Sequence, residues 1–350
     1  MYLRKLLFPF SWLYGIFTGA RNLFYDREII ASEKFDIPVI CVGNLSTGGT
    51  GKTPHVEYII RLLKNNFIVA TLSRGYGRNS KGFMVSKPNM TSEVLGDEPA
   101  QYALKFPEAI VAVGEDRVAA IKNLISEFPG MEVILMDDGF QHRAVKPGLS
   151  ILLTDYSNLF TNDFLLPAGN LREHKNGYKR AELIIVTKCP ALTAIEKQKI
   201  VHEISPLQSQ QILFSHFAYD DLIPFSSENK KQDVSHLKDF YVLLLTGIAN
   251  PQSMIDFLKG QGCEVHPLKF PDHYHYSKND LMTVKEKFDN IVAQKKIIIT
   301  TEKDFVRLKK ENLKEIIHSL PFYYLPVKVE FDAHDKKTID EKILNYVGKN

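Results

Sequence analysis

Residues 42–54 read Val-Gly-Asn-Leu-Ser-Thr-Gly-Gly-Thr-Gly-Lys-Thr-Pro, and few folds accommodate such a run. A β-branched stretch at 37–42 precedes it and an amphipathic stretch at 54–64 follows, so the run joins a strand to a helix. Gly48, Gly49 and Gly51 let successive backbone N–H groups turn toward a single anion, and the helix that follows adds the positive end of its dipole. Lys52 reaches the outer phosphates, and the Thr53 hydroxyl is placed to ligate Mg²⁺. The expected nucleotide-phosphate cradle is therefore Ser46, Thr47, Gly48, Gly49, Thr50, Gly51, Lys52 and Thr53, with ATP and Mg²⁺ as cofactors. Ser46 stands where the general phosphate-loop pattern has glycine.

The rest of the chain alternates in the rhythm of crossover units. Strands are predicted at 67–72, 109–113, 133–136, 150–153 and 183–186, with helices at 115–128 and 193–204. This is a mainly parallel sheet with helices on both faces, of the P-loop NTPase-like α/β class. A polar stretch at 226–236 reads as a loop. Beyond it lies a second, smaller α/β unit with strands at 241–245, 264–268, 297–300 and 322–325 and helices at 251–259 and 277–288. Runs at 212–219 and 327–331 are expected to pair as a two-stranded linker that permits hinge motion. The predicted divisions are 1–27, 28–207 and 208–350.

Composition narrows the function. The net charge of +3 on 350 residues gives no broad basic face for nucleic acid, so phosphate chemistry belongs to local sites. Cys41, Cys189 and Cys263 are far apart and lack metal-ligand spacing, which marks them as small buried hydrophobes in a reducing compartment. Residues 6–20 are apolar except for Ser11 and Thr18, with Arg4, Lys5 and Arg21 at the flanks. Fifteen helical residues rise about 22 Å, short of the roughly 30 Å bilayer core. No small-residue cleavage site marks a secretory signal. A stripe of Leu3, Leu6, Leu7, Phe10, Tyr14 and Phe17, joined by Trp12, suits a helix lying in the membrane interface; the other reading packs it on the protein's own body.

Several further runs carry chemistry. Strand 133–136 delivers Asp137 and Asp138 to its C-terminal edge, where ligands of open α/β sheets gather, and one such aspartate ordinarily holds the metal. Their adjacency leaves open which of the two does so. Gly96-Asp97-Glu98-Pro99 offers paired carboxylates at a helix start, readable as an acceptor base or as a helix cap. His273, in Pro271-Asp272-His273-Tyr274, lies in the second unit and is able to share a proton with a carboxylate across a cleft. Arg74, Arg117 and Arg172 are candidate phosphate clamps. Thr187-Lys188-Cys189-Pro190 has proline where a guanine-reading motif has aspartate, which argues against GTP.

Together, 43–54, 73–77, 96–99, 114–117, 137–141, 171–173, 246–251, 271–273 and 301–304 resemble, in order, the motifs of the tetraacyldisaccharide 4'-kinases. In that family Ser46 is the normal residue at its position. The resemblance implies transfer of the ATP γ-phosphate to the 4'-hydroxyl of tetraacyldisaccharide 1-phosphate, forming lipid IVA for lipid A at the cytoplasmic face of the bacterial inner membrane. It assigns Asp97 as catalytic base paired with His273, Lys52 to the phosphates, and Thr53, Glu98, Asp137 and Asp138 to magnesium. Arg74, Arg117, Arg172 and Glu173 are assigned to the acceptor and metal region. Domain closure is expected to assemble the base, and no obligate protein partner is called for. A P-loop ATPase that drives a partner protein, or a kinase of soluble metabolites, are the competing readings.

Overall fold

The computed structural model describes residues 4, 6–226 and 230–349; Leu3 and Lys5 of the N-terminal stripe and its flank, and 227–229 of the expected polar loop, lie outside the described residues. Strand β1 (Val39–Asn44) is buried on both faces, which its near-continuous apolar sequence allows. The chain then forms β2 (Val69–Ser73), β3 (Met84–Val85), β4 (Ile110–Val113), β5 (Val133–Asp137), β6 (Leu149–Asp155), β7 (Leu183–Thr187) and β8 (Gln211–Tyr219). It crosses to a second sheet made of β9 (Ile223–Pro224), β10 (Tyr241–Thr246), β11 (Glu264–Lys269), β12 (Lys296–Thr301) and β13 (Phe322–Leu325), and returns through β14 (Val327–Phe331). The larger sheet has the order β14-β8-β7-β6-β1-β5-β2-β4-β3, and the smaller β11-β10-β12-β13-β9. Among the described residues, only the edge strands β3, β14 and β9 run antiparallel to their neighbours.

Alternation along β1 separates two apolar layers. Val39 and Cys41 face a cluster containing Ala120, Ile121 and Leu124 of the helix Arg117–Glu127. Ile40 and Val42 face Val56, Ile59, Ile60 and Leu63 of the helix Lys52–Leu63. This period of two carries helices on both faces of the sheet. All three cysteines are free and buried.

The linker differs from expectation. Strands β8 and β14 do pair antiparallel, but β8 also lies parallel to β7 with Leu183 opposite Gln211, so the pair extends the larger sheet. The final helix, Ala333–Val347, likewise returns to the first core, because Ile339, Ile343 and Val347 form a stripe that packs with β14 residues Val329 and Phe331. The unit expected over 208–350 is thus interrupted. Residues 211–219 and 327–347 build onto the first sheet, and two crossings, tied by Asp220 N–H donating to the Pro326 carbonyl at 3.1 Å, lead to the second.

The helix Phe8–Asp26 docks through its polar and small side. Ser11 bonds the Leu165 carbonyl at 3.0 Å, Tyr14 the Arg172 carbonyl at 2.7 Å, and Asn22 the Glu173 carboxylate at 2.6 Å. Phe10, Trp12, Leu13, Ile16 and Phe17 stay exposed on the other side. Tyr14, expected with the apolar stripe, therefore belongs to the docked face. Among the described residues, no helix is long and apolar enough to cross a membrane.

Ile339 is fully buried between the last helix and the sheet. Ile339→Ala is expected to lower unfolding free energy by about 2–5 kcal/mol, measured by denaturant titration, with no loss of nucleotide binding at saturating stability.

Candidate active site

The phosphate loop leaves β1 at its C-terminal end. Gly51 is the residue before the helix Lys52–Leu63 and adopts φ +85°, and a Cβ there would meet the Phe217 ring at 2.8 Å, so both backbone and space require glycine. Side chains lock the loop from behind. Asn44 donates to the Thr50 hydroxyl at 2.8 Å, Thr187 to the Thr50 carbonyl at 2.9 Å, and Lys188 to the Gly49 carbonyl at 2.5 Å and Asp155 at 2.6 Å. His55 Nδ1 lies 2.7 Å from the Gly51 carbonyl and its Nε2 3.0 Å from Ser215 Oγ. Burial pushes this imidazole down to about 4, so it is neutral at physiological pH. A second segment flanks the loop: Thr47 N–H donates to the Asn170 carbonyl and Arg172 N–H to the Leu45 carbonyl, each at 2.7 Å.

Parallel pairing of β1 with β5, Val42 opposite Asp137, puts the two aspartates beside this cradle. Their environments differ. Asp137 accepts from Tyr102 at 3.0 Å through Oδ2, while its buried Oδ1 has no partner. Burial, then the neighbouring charges of Asp138 and Glu98, raise its carboxyl to about 6. Asp138 turns out of the strand at φ +50°, and Arg172 Nη1 reaches both of its oxygens at 2.8 and 2.9 Å. Lys52 Nζ is 3.6 Å from Asp138 Oδ1. Burial opposes ionisation of Asp138, but Lys52 and Arg172 outweigh it and hold the carboxyl low.

Asp97 opens the helix Asp97–Lys105 and is largely buried. It meets residues of the second unit, His273 from the turn after β11 and Arg307 from the helix Glu302–Leu308: His273 Nδ1 lies 2.9 Å from its Oδ2, and Arg307 donates to the same oxygen through Nε at 3.0 Å and Nη2 at 2.7 Å. Burial works against the charge, yet the hydrogen bonds from His273 and Arg307 bring the carboxyl down to about 2. The bond to Asp97 in turn raises the His273 imidazole above its ordinary 6.5. His273 itself sits at φ +56° with the Tyr76 ring edge-on at 5.7 Å.

The remaining expected residues divide. Arg117 is buried near the aspartates, with Nη1 bonded to the Gly114 carbonyl and Nε unpartnered; burial lowers it to about 10. Arg74 is exposed and makes no hydrogen bond or ion pair among the described residues. Glu98 is bound to Lys303 at 2.6 Å, which keeps its carboxyl low against burial. Glu173 is fully buried and takes hydrogen bonds from Asn22, Gln141 at 3.0 Å and Arg180 at 2.7 Å. Sequence reasoning missed Tyr102, His55 and above all Arg307. The last lies one helical turn past Lys303, on the same face, which the Thr301–Asp304 motif hinted at without naming it.

A phosphate cradle, two dissimilar aspartates and a carboxylate bridged to a histidine together form a site able to move a phosphoryl group. The sequence model of the family described as tetraacyldisaccharide-1-P 4'-kinase matches residues 3–347. The chain belongs to this kinase family. Proteins named tetraacyldisaccharide 4'-kinase are 48% identical in Flavobacterium psychrophilum, over 99% of this chain and 97% of that protein, and 44% identical in Bacteroides thetaiotaomicron, over 99% and 94%. The crystal structure of LpxK from Aquifex aeolicus in complex with ATP is similar at a TM-score of 0.76 and 30% identity, covering 99% of each chain. Membership in the tetraacyldisaccharide-1-P 4'-kinase family makes the chain a phosphotransferase with a P-loop NTPase-like α/β fold.

The Asp97–His273 pair has a definite pH signature. The depressed Asp97 stabilises the fold fully above its ordinary 3.8 and loses that contribution as pH falls through about 2. The raised His273 contributes fully below 6.5 and loses its contribution as pH rises through its elevated value. The difference in unfolding midpoint between wild type and His273→Ala is expected to be largest at mildly acid pH and to shrink on the alkaline side; a constant difference contradicts the pairing.

Proposed function

We propose that this tetraacyldisaccharide 4'-kinase uses Asp97, paired with His273, as the group that receives the proton of the sugar 4'-hydroxyl while the γ-phosphate of ATP is transferred to it. The observation that carries this reading is the Asp97–His273 hydrogen bond, which joins the carboxylate that opens the helix Asp97–Lys105 to a histidine from the turn after β11 in the second unit. The product is lipid IVA, a precursor of lipid A.

Phosphoryl transfer proceeds through a loose transition state with charge spread over the moving oxygens, so positioning and electrostatics supply most of the catalysis. The backbone N–H groups of Gly48, Gly49, Gly51, Lys52 and Thr53 hold the phosphates, those of Thr47 and Thr50 being bonded to the Asn170 and Gly48 carbonyls, and Lys52 follows the outer phosphates. Asp138 orients Lys52 and Arg172 so that both cations face the transferred group. Asp97, ionised at physiological pH, accepts a hydrogen bond from the acceptor hydroxyl and aligns its lone pair. Its low basicity suits a late proton transfer, completed as the new oxygen–phosphorus bond acidifies the hydroxyl, with His273 stabilising the pair. Arg117, with its unpartnered Nε, and exposed Arg74 serve the acceptor side.

The residues fit magnesium. Asp137 Oδ1 is buried, unpartnered and beside the loop, and Thr53 begins the following helix, an oxygen-poor protein site of the kind Mg²⁺ completes with phosphates and water. When bound, the ion neutralises charge on the phosphate oxygens. Among the described residues no cluster of three His, Cys, Asp or Glu side chains is arranged for a metal, in keeping with that sparse ligation. Asp137 and Thr53 are the better ligands, because Asp138 and Glu98 are engaged by cations.

The exposed apolar side of the helix Phe8–Asp26 supports a place on the cytoplasmic face of the inner membrane, where the acylated substrate resides. Trp12 and Phe17 are 70% and 74% exposed. Replacing both with serine is expected to reduce co-flotation with phospholipid vesicles while leaving the unfolding midpoint unchanged, and undiminished flotation would remove the interfacial reading.

The kinase reading is tested by following labelled γ-phosphate from Mg·ATP into tetraacyldisaccharide 1-phosphate in detergent. Asp97→Ala is expected to lower lipid labelling by about 10²–10⁴-fold with ATP binding retained. Hydrolysis of ATP without lipid labelling in the wild type would instead point to an ATPase that drives a partner.

A further inference from the structure

We propose that Arg307 is a positioning residue for the phosphoryl transfer, fixing the Asp97 carboxylate in the one orientation that faces the acceptor hydroxyl. The proposal rests on the reading of Asp97 as the proton-accepting group. Among the described residues, Arg307 is the largest side chain with almost no exposure, 1%, although it carries a full charge. A guanidinium is buried at that depth only when its donors are met, and here both ends of its fork are used. Nη1 donates to the Gly247 carbonyl at 2.6 Å and to Asp304 Oδ1 at 3.0 Å, while Nε and Nη2 grip Asp97 Oδ2.

The anchor behind the fork is rigid. Asp304 is fully buried and accepts from Gly247 N–H at 3.0 Å, Thr301 Oγ1 at 2.7 Å and Tyr276 OH at 3.0 Å. The helix Glu302–Leu308 thus presents Arg307 from a satisfied network, and the same helix pairs Lys303 with Glu98 and Glu302 with Lys105. All three contacts fall on the helix that begins with Asp97, so the two helices are held in fixed register.

Arg307 Nε and Nη2 and His273 Nδ1 converge on Oδ2 of Asp97, and among the described residues Oδ1 takes no hydrogen bond or ion pair. Three donors on one oxygen leave its partner oxygen to meet the substrate, and they forbid rotation of the carboxylate about its Cβ–Cγ bond. Arg307 Nη2 and His273 Nδ1 lie 3.3 Å apart as neighbouring donors to that oxygen, so Asp97 is what holds the two cationic groups together. Arg307 acts through Asp97 and has no contact with the reacting atoms of its own.

The experiment measures kcat and KM of full-length Arg307→Lys with Mg·ATP and tetraacyldisaccharide 1-phosphate, alone and combined with Asp97→Asn, under single-turnover conditions. Lysine keeps the charge but has no fork to hold Asp97 and the Gly247–Asp304 anchor together. The expected result is a fall in kcat of about 10²-fold with both KM values unchanged, and no further fall when Arg307→Lys is added to Asp97→Asn. Wild-type kcat in Arg307→Lys, or an equal loss in both backgrounds, overturns the proposal. If Arg307→Lys does not fold, Asp304→Asn, which loosens the anchor without touching Asp97, is expected to show the same kcat-selective, non-additive loss, and full activity there overturns the proposal equally. Asp97→Asn with wild-type kcat would fell the base reading and this proposal together, whereas an inactive Asp97→Asn beside a fully active Arg307→Lys fells this proposal alone.

Discussion

The convergence of Arg307 and His273 on a single carboxylate oxygen, Asp97 Oδ2, fastens the smaller unit to the helix Asp97–Lys105 of the larger one. Removing one member of a buried ion pair leaves an uncompensated charge and costs about 3–5 kcal/mol. The contact is therefore strong only while all its members are present, and each depends on the others for its protonation and orientation. Around it, Glu98–Lys303 and Lys105–Glu302 repeat the same logic, and Leu95, Ala100, Val113 and Val306 add a small apolar seam between the units. The functional pair and the interdomain contact are one structure.

On the other side of the site, order comes from the sheet. Parallel pairing sets β5 beside β1, so the ends of both strands open into one crevice and Asp137 arrives next to the loop without any long-range adjustment. The loop is held from behind by Asn44, His55, Thr187 and Lys188, and the backbone N–H groups of Thr47 and Thr50 are taken by the Asn170 and Gly48 carbonyls. The two adjacent aspartates then part company for a local reason. The left-handed backbone of Asp138 swings it toward Lys52 and Arg172, whereas Asp137 stays with the strand, buried, raised to about 6 and one oxygen short of partners.

The N-terminal helix shows how a polar docking face and an apolar free face coexist in one short segment. Ser11, Tyr14 and Asn22 recur at close to helical spacing and bind carbonyls and a carboxylate on the 165–173 segment, which also carries Arg172. Glu173, expected near the substrate, is instead the buried node that joins this helix to Gln141 and Arg180. The apolar helix is thereby coupled to the segment that carries Arg172 against Asp138.

The order of local elements was legible in the sequence, because period-two and period-3.6 patterns and a glycine-rich turn are dictated by backbone sterics and burial within a few residues. The run 43–54 announced the turn from β1 into the helix Lys52–Leu63, and the joint order of nine motifs announced the family. What tertiary structure alone decided were the long-range pairings. Residues 211–219 and 327–347 joined the first sheet because an apolar strand face and an Ile339–Ile343–Val347 stripe found their partners there. Glu173 went inward because three donors met it, and Arg307 reached Asp97 across 210 residues of chain. No local pattern encodes which distant charge a side chain will neutralise, since that depends on where folding removes water from both.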